Sequence, residues 1–268
     1  LKIIPPGDLR MALAALSDGD VDDTLWARTL QHRFGGNGAL AGHAVGNLII
    51  AGLNEVLGDY QAALDKIAEL TKSHGRVVPV VNQPLEIEAE VAGLDDDPRV
   101  MRAVRGQVAV ASTPGQVRRV RIIPEDPPAN QLALDGICEA DLITLGPGSW
   151  FSSVLPHVLV PDVVQAINES NALRVVVLNL TAEPGETHGF SMERHLHVLA
   201  QHAPGLEVDY IIADAGALRN ESERDYLKRA AETFNAEVVF ADVAAEGARH
   251  DPQALAGELL SLYRRGRQ

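Results

Sequence analysis

Gly146-Pro147-Gly148-Ser149 follows a short apolar run, Leu142 to Leu145, and precedes a segment with helical spacing that opens at Trp150. A strand that delivers a Gly-rich turn onto a helix start points backbone N–H groups toward one place, which suits an anion. Gly permits a left-handed backbone and close approach, and Pro fixes the turn. Ser149 is placed either to cap the helix or to bond the anion itself. An ordinary βα turn in any α/β protein would use the same residues, so the rest of the chain has to decide between the two.

Other residues with chemical potential lie at comparable positions. Gly185-Glu186-Thr187-His188 sits in a long loop after Asn179 and suits hydrogen bonding to phosphates, sugar or base. The plainer alternative is a solvated loop, with Ser191 capping the next helix. His43 and Asn47 are four apart within a segment of helical spacing, Leu40 to Leu57, and so share a face, with Gly46 leaving room beside them. His43 could act as a base or hold a phosphate, or simply hydrogen-bond near the helix start. His188, His195, His197 and His202 suggest a metal cluster at first sight. However, His195 and His197 are two apart on a helix and face differently, so surface histidines are the better reading. Asp95-Asp96-Asp97 reads as a solvated turn. The chain has no G-x-S-x-G elbow, no Walker loop and no G-x-G-x-x-G, so hydride transfer with a conventionally held nicotinamide has little support. No catalytic residue and no metal ligand is assigned.

Composition bounds the function. The 268 residues include 23 Lys and Arg against 37 Asp and Glu, a net charge of −14, and no basic stripe is visible. That balance argues against nucleic-acid binding, while a small anionic ligand needs only helix termini and one or two arginines. A single cysteine, Cys138, excludes internal disulfides and fits a reducing cytosol. No apolar run reaches transmembrane length, so no membrane insertion is expected.

The elements that must position these residues can be read in order. Leu9 to Leu16 has helical periodicity with Asp8 as N-cap, and Thr24 is placed to cap a second helix through Gln31. Leu40 to Leu57 is ended by Gly58, and Asp59 caps the helix that follows from Tyr60 to Leu70. From Arg76 to Ile123 the character changes: Val77–Val81, Glu86–Val91, Gln107–Ala111 and Arg118–Ile123 alternate between Gly, Pro and Asp clusters, which predicts an inserted antiparallel sheet. Glu86 to Val91 alternates acidic and apolar residues, so one face of it is wet.

Strand and helix then alternate to the end, with strands over Leu142–Leu145, Leu173–Leu178, Asp209–Ala213 and Glu237–Ala241. The fold class is α/β: a Rossmann-like, mostly parallel sheet with helices on both faces, as one domain over 1–268 with a β-rich insertion at about 76–123. Ligands of such folds lie beyond the carboxyl ends of the strands. Three of those ends carry polar loops, Gly146 to Ser149, Asn179 to His188 and Asp214 to Asn220.

Taken together, Pro5-Pro-Gly-Asp-Leu-Arg10, Leu30-Gln-His-Arg-Phe34, Leu40-Ala-Gly-His-Ala-Val-Gly-Asn-Leu48, Ala140-Asp-Leu-Ile-Thr-Leu-Gly-Pro-Gly-Ser149, Ser153-Val-Leu-Pro-His-Val-Leu-Val-Pro161 and Gly185-Glu-Thr187 resemble one family. It is the gluconeogenesis factors of the YvcK type, relatives of 2-phospho-L-lactate transferase. The resemblance implies a pocket for UDP-glucose and UDP-N-acetylglucosamine and a cytoplasmic regulatory role linking carbon metabolism, cell-wall synthesis and cell shape. It leaves regulatory protein partners and a homo-oligomer open. Carried over by motif, Gly7, Asp8 and Arg10 would border the cleft and His43 and Asn47 would line it. The turn Gly146 to Ser149 would supply backbone donors from Gly146, Gly148 and Ser149, with Pro147 fixing its shape, and Asn179 with Gly185, Glu186 and Thr187 would form the far wall. By looser similarity, Tyr226 and Arg249 would hold the uridine end. The family also opens with a strand and a GGGTG-like phosphate loop ahead of the Pro-Pro-Gly-Asp run. These are absent from a sequence that starts at Leu1, and they are expected to belong to the natural protein. The alternative function is transfer of a phospholactate-type group from a nucleotide-activated donor with Mg²⁺, with His43 or Asp8 as acid–base or metal-positioning groups. NAD in the same pocket is a third reading.

Overall fold

The computed structural model describes residues 3–17, 25–97, 99–182, 187–218 and 220–266. Apolar residues at helical spacing fold the first part into α1 (Gly7–Leu16), α2 (Leu25–Gln31), α3 (Val45–Leu57) and α4 (Tyr60–Leu70). Leu13, Leu30, Ile50, Leu64 and Ile67, one or two from each helix, meet in a buried cluster. Each such burial contributes about 1.5–3 kcal/mol before the entropy of ordering is set against it. The stretch to Pro84, with Ala129–Ala133, forms one compact unit, and Leu85–Pro128 with Leu134–Gln268 forms a second.

Caps in the first unit follow the sequence in part. Gly58 closes α3 at φ +66°, and the Asp59 carboxylate accepts the Ala62 N–H at 2.9 Å. Asp8 is not the N-cap of α1; that position falls on Pro6, and Asp8 lies inside the first turn, where its charge still favours the helix start. Thr24 lies outside the described residues. The helix expected from Leu40 begins only at Val45, because residues 42–44 turn back along Arg33 and Phe34. The Phe34 N–H donates to the His43 carbonyl (3.0 Å), the Gly42 N–H donates to the Phe34 carbonyl (2.8 Å), and Gly42 takes φ +79°. Val77–Val81, expected as a strand, is instead an extended segment held to Ala129 by a bridge at Val81.

In the second unit an antiparallel sheet comes first, with strands β1 (Glu86–Ala92), β2 (Met101–Arg105) and β3 (Gln116–Ile123) in the order β2-β1-β3. Ile87, Ala89, Val120 and Ile122 are buried on one face. On the other, Glu88 lies between Arg105 and Arg121, both of which hydrogen-bond it. Two expectations are corrected here. Gln107–Ala111 is a short helix, α5, not a strand, since a five-residue run without a neighbouring strand buries Val110 equally well in one helical turn. β2, which the sequence did not suggest, forms across from β1, with Glu88 opposite Arg105 and Val91 opposite Arg102.

Helix α6 (Gln131–Glu139) leads to a parallel sheet of β4 (Leu142–Leu145), β5 (Leu173–Val177), β6 (Tyr210–Asp214) and β7 (Glu237–Ala241), in sequential order. The connections carry α7 (Leu155–Val158), α8 (Pro161–Glu169), α9 (Met192–His202) and α10 (Glu221–Ala231). A two-residue-strand hairpin, β8 (Ala244–Ala245) with β9 (Arg249–His250), precedes the closing α11 (Pro252–Gly266). Val175, Val177, Ile212 and Val239 face Leu255, Leu259 and Leu262 of α11. Phe240, on the opposite side of β7, lies under Arg224 and Lys228 of α10. Helices therefore cover both faces, as a mostly parallel sheet requires. Among the described residues no single helix is long and apolar enough to cross a membrane.

Candidate functional site

Because β4 to β7 are parallel, the turns after Leu145, Val177 and Asp214 lie along one edge of the sheet. The first is the glycine turn. Gly146 has φ +76°, and a Cβ there would stand 2.7 Å from the Val177 carbonyl oxygen, so no other residue fits without moving β5. The Gly146–Pro147 peptide is cis and Gly148 has φ +155°. Asn179, just beyond β5, holds this turn from the side: its amide donates to the Gly148 carbonyl (2.8 Å), and its own carbonyl accepts the Gly148 N–H (3.0 Å). Gly148 N–H is thus already used. Asn179 acts as a clamp on the turn.

After Ser149 the chain makes one π-helical turn, Trp150–Val154, with Val154 N–H donating to the Ser149 carbonyl at 3.0 Å. Such turns displace a helix start and recur at functional sites. The expected side-chain cap by Ser149 is not made, nor is that by Ser191 on α9. Trp150 and Phe151 are fully buried in a ring cluster. His195 packs edge-on to Trp150 at 5.1 Å and to Phe190 at 5.4 Å, and Phe151 meets Phe190 at 6.0 Å. His195 Nδ1 donates to the Ser191 carbonyl (2.9 Å), which leaves Nε2 as a buried acceptor without a partner among the described residues. Burial lowers the His195 pKa, so the ring is neutral.

At the end of β6 the Asp214 carboxylate accepts four backbone N–H groups. Gly216 and Ala217 bond one oxygen, Val243 and Ala244 the other, all at 3.0 Å. This locks the β6 end to the segment leaving β7. His250 on β9 is half-buried, and burial again lowers its pKa. Cavities of about 990 and 590 Å³ lie elsewhere in this unit, one along β3 and α8, the other at the amino ends of the strands. The carboxyl-end edge is preferred on chemistry, since backbone groups, amide and imidazole gather there.

The family model of 2-phospho-L-lactate transferase CofD matches residues 1–254. The chain belongs to the CofD family. It is similar to the Mycobacterium tuberculosis protein named "Putative gluconeogenesis factor", 59% identical over 260 residues, which is 97% of this chain and 76% of that protein. It is also similar to the gluconeogenesis factor of Bacillus subtilis, 35% identical over 228 residues (84% and 68%). A UPF0052-family crystal structure from Bacillus halodurans superposes with a TM-score of 0.80 at 29% identity, covering 96% of this chain and 83% of that one. The family resemblance read from the motifs is therefore shown, and with it a regulatory or phospholactate-transferase-like family.

In this CofD-family chain the predicted site residues divide between the two units. Gly7, Asp8, Arg10, His43 and Asn47 belong to the first. There Arg10 is buried on α1, its stem filling the space left by Gly46 and its guanidinium bonded to Gln31. Among the described residues, Arg10 Nε and Asn47 Oδ1 have no hydrogen-bond partner. His43 does not share a helical face with Asn47, because it precedes α3; its ring donates to the Leu40 carbonyl at 3.3 Å. In the second unit the structure brings Gly146, Pro147, Gly148, Ser149 and Asn179 together. Thr187 is buried, while Gly185 and Glu186 lie outside the described residues. Tyr226 is exposed on α10 with Arg229 over its ring, and Arg249 is exposed on β9. Among the histidines, His188 and His197 are exposed as expected, but His195 and His202 are buried. Their seven-residue spacing, two helical turns, was the signal for one inward face. Asp214 was expected only to open a polar loop at a strand end and was given no role of its own, and His250 was not picked out; an Asp ending a buried strand before a small-residue turn is the pattern that marks the former.

Proposed function

We propose that this chain binds a nucleotide sugar of the UDP-glucose or UDP-N-acetylglucosamine class at the carboxyl ends of its parallel strands. It then acts as a cytoplasmic regulator, through protein partners or self-association, linking carbon metabolism to cell-wall synthesis and cell shape. The observation that carries the reading is the Asn179–Gly148 clamp on a turn that tolerates only glycine at 146. A rigid, pre-formed turn of this kind at the strand ends suits a ligand placed over backbone groups. The gluconeogenesis-factor names of the relatives support the regulatory half. Calorimetry and thermal melting of the full-length protein with each UDP-sugar test it. Ligand at 100 times Kd should add about 2.7 kcal/mol of stability. No heat and no rise in Tm at saturating UDP-sugar would rule the reading out, and NAD in a parallel titration tests the dinucleotide reading.

A second reading has its own support in the family model, which describes a phospholactate transferase. Among the described residues no three His, Cys, Asp or Glu side chains gather to hold a metal. Incubation with a nucleotide-activated phospholactate donor, acceptor and Mg²⁺ decides between the two: a transferred product would place this chain among the enzymes.

A further inference from the structure

The two outer edges of the antiparallel sheet differ. The free edge of β3 is closed at its middle, where the Val120 N–H donates to His202 Nε2 of α9 at 3.0 Å. β2, at the other edge, is open: Met101, Arg102, Ala103 and Arg105 are all exposed. The Gly106 N–H donates to the Ile87 carbonyl at 2.8 Å, so Arg102 and Val104, which share its parity, turn their backbone groups toward β1. Met101, Ala103 and Arg105 therefore present N–H and C=O groups outward, a template for a further strand.

Edges of this kind are commonly guarded by charge or by a bulge. Here the charges are already used: Arg102 is bonded to Asp95 in the preceding turn, and Arg105 to Glu88 on β1. The bulge of this sheet lies between β1 and β3, and the pairing of β1 with β2 is regular. The sequence of the strand then selects its occupant. Laid antiparallel on itself about Ala103, Met101-Arg-Ala-Val-Arg105 pairs along its whole length. Met101 falls opposite Arg105, Arg102 opposite Val104, and the smallest side chain sits on the two-fold axis. The three outward residues then exchange backbone hydrogen bonds, and no like charges stand opposite each other. Centred one residue earlier, Arg102 would face itself. The same two-fold lays the Met101 end of one copy, 48% exposed, against the end of the other that is followed by Val108, 82% exposed.

We propose that β2 is a self-association edge: two copies of this chain pair β2 with β2, antiparallel about Ala103, and join their antiparallel sheets into one. So short an edge buries little surface, so the dimer should form and dissolve with concentration. That self-association serves regulation rests on the reading above; the pairing itself does not. Sedimentation velocity of the full-length protein without ligand, over a dilution series, tests it. Wild type should pass from monomer to dimer. Ala103→Pro removes an outward N–H and Ala103→Lys sets two like charges on the axis, and each should weaken the dimer roughly tenfold or more. Their Tm, read at a dilution where wild type is monomeric, should match wild type, since neither change breaks a hydrogen bond within the sheet. In a Cys138→Ser background, Ala103→Cys should form an intermolecular disulfide under mild oxidation, because residues paired on the axis lie about 5.5 Å apart. Arg105→Cys should not, because its counterpart in the second copy lies at the far end of the paired strands. Should an Ala103 variant melt lower, the cross-linking pair decides. Wild type that is monomeric at every concentration, a dimer that both Ala103 variants leave intact, or equal cross-linking at the two positions overturns the pairing. Calorimetry with UDP-N-acetylglucosamine is read separately: no heat removes the nucleotide-sugar reading and leaves a β2 dimer standing, while heat from a wild type that stays monomeric does the reverse.

Discussion

The two larger sheets of the second unit, β1–β3 and β4–β7, satisfy their polar groups in opposite ways. In the antiparallel sheet, buried Glu88 is answered by two side chains, Arg105 and Arg121, and Asp95 by Arg102. At the carboxyl ends of the parallel sheet, Asp214 is answered by four backbone N–H groups and Asn179 by the backbone of Gly148. Long arginines can shift, rehydrate and be screened, so the first arrangement is adaptable. Backbone groups cannot move without moving strands, so the second fixes a shape. An edge meant to hold a ligand benefits from the second kind.

The comparison is broken most severely at Asp214. Asp214→Ala leaves four N–H groups without their acceptor, some of which water can reach. The expected loss is on the order of 3–5 kcal/mol in urea unfolding, with Tm falling accordingly. Asp214→Asn keeps one acceptor oxygen and should recover part of it. A loss no greater than that of an average surface substitution would mean that the β6 end is not held as described.

Asn179 comes next. Asn179→Ala removes two hydrogen bonds to one residue and should cost about 1–3 kcal/mol. Its larger effect should fall on binding, since the glycine turn loses its clamp: UDP-sugar affinity should drop further than stability does. Asn179→Asp keeps an acceptor for the Gly148 N–H but sets a carboxylate against the Gly148 carbonyl. It should therefore also bind weakly, and wild-type affinity in either variant would separate the clamp from the site.

How far these features could be read in advance depended on how local they are. β4 and β7 were read to the residue, and the ends of α4, because apolar runs bounded by Gly, Pro and capping residues are local signals. Gln107–Ala111 and Val77–Val81 misled because a run of about five residues fits a helical turn, an extended segment or a strand, and only the neighbours choose. The gathering of polar loops at the strand ends followed from the alternation of strands and helices. The Asn179–Gly148 clamp, with 31 residues between its partners, and the Asp214 contacts to Val243 and Ala244 are products of tertiary geometry that no local pattern carries. His43 shows the same limit in reverse: its spacing from Asn47 was right for a helix, but the turn at Gly42 ended the pattern first.

His202 joins the two sheets' layers and gives a smaller, pH-dependent effect. Its Nδ1 donates to the Val198 carbonyl (2.7 Å) and its Nε2 accepts the Val120 N–H (3.0 Å), so the ring must be neutral. Burial lowers its pKa below the ordinary value of 6.5, as it does for His195 and His250. The stability from these groups is therefore full above the unfolded value and is lost as pH falls from there through the lower folded values. His202→Leu should cost about 1–2 kcal/mol at neutral pH and make the acid side of the stability profile shallower. A variant profile parallel to wild type across that window would mean that His202 does not carry the dependence.

Glu88 sharpens the contrast from the adaptable side and should give the smallest effect at neutral pH. Hydrogen bonds from Arg105 and then Arg121 hold its carboxyl below the ordinary value of 4.5. A depressed carboxylate contributes stability that is complete above the unfolded value and disappears as pH falls through the folded one, so the Glu88 contribution should be lost only in acid. Both arginine side chains are more than half exposed, so high salt should erase most of it even at neutral pH. Glu88→Gln should therefore resemble wild type in urea melts at neutral pH and high salt, and differ mainly in a flatter acid limb. A loss as large as that of Asp214→Ala, insensitive to salt, would show that the antiparallel sheet is fixed as rigidly as the strand-end edge.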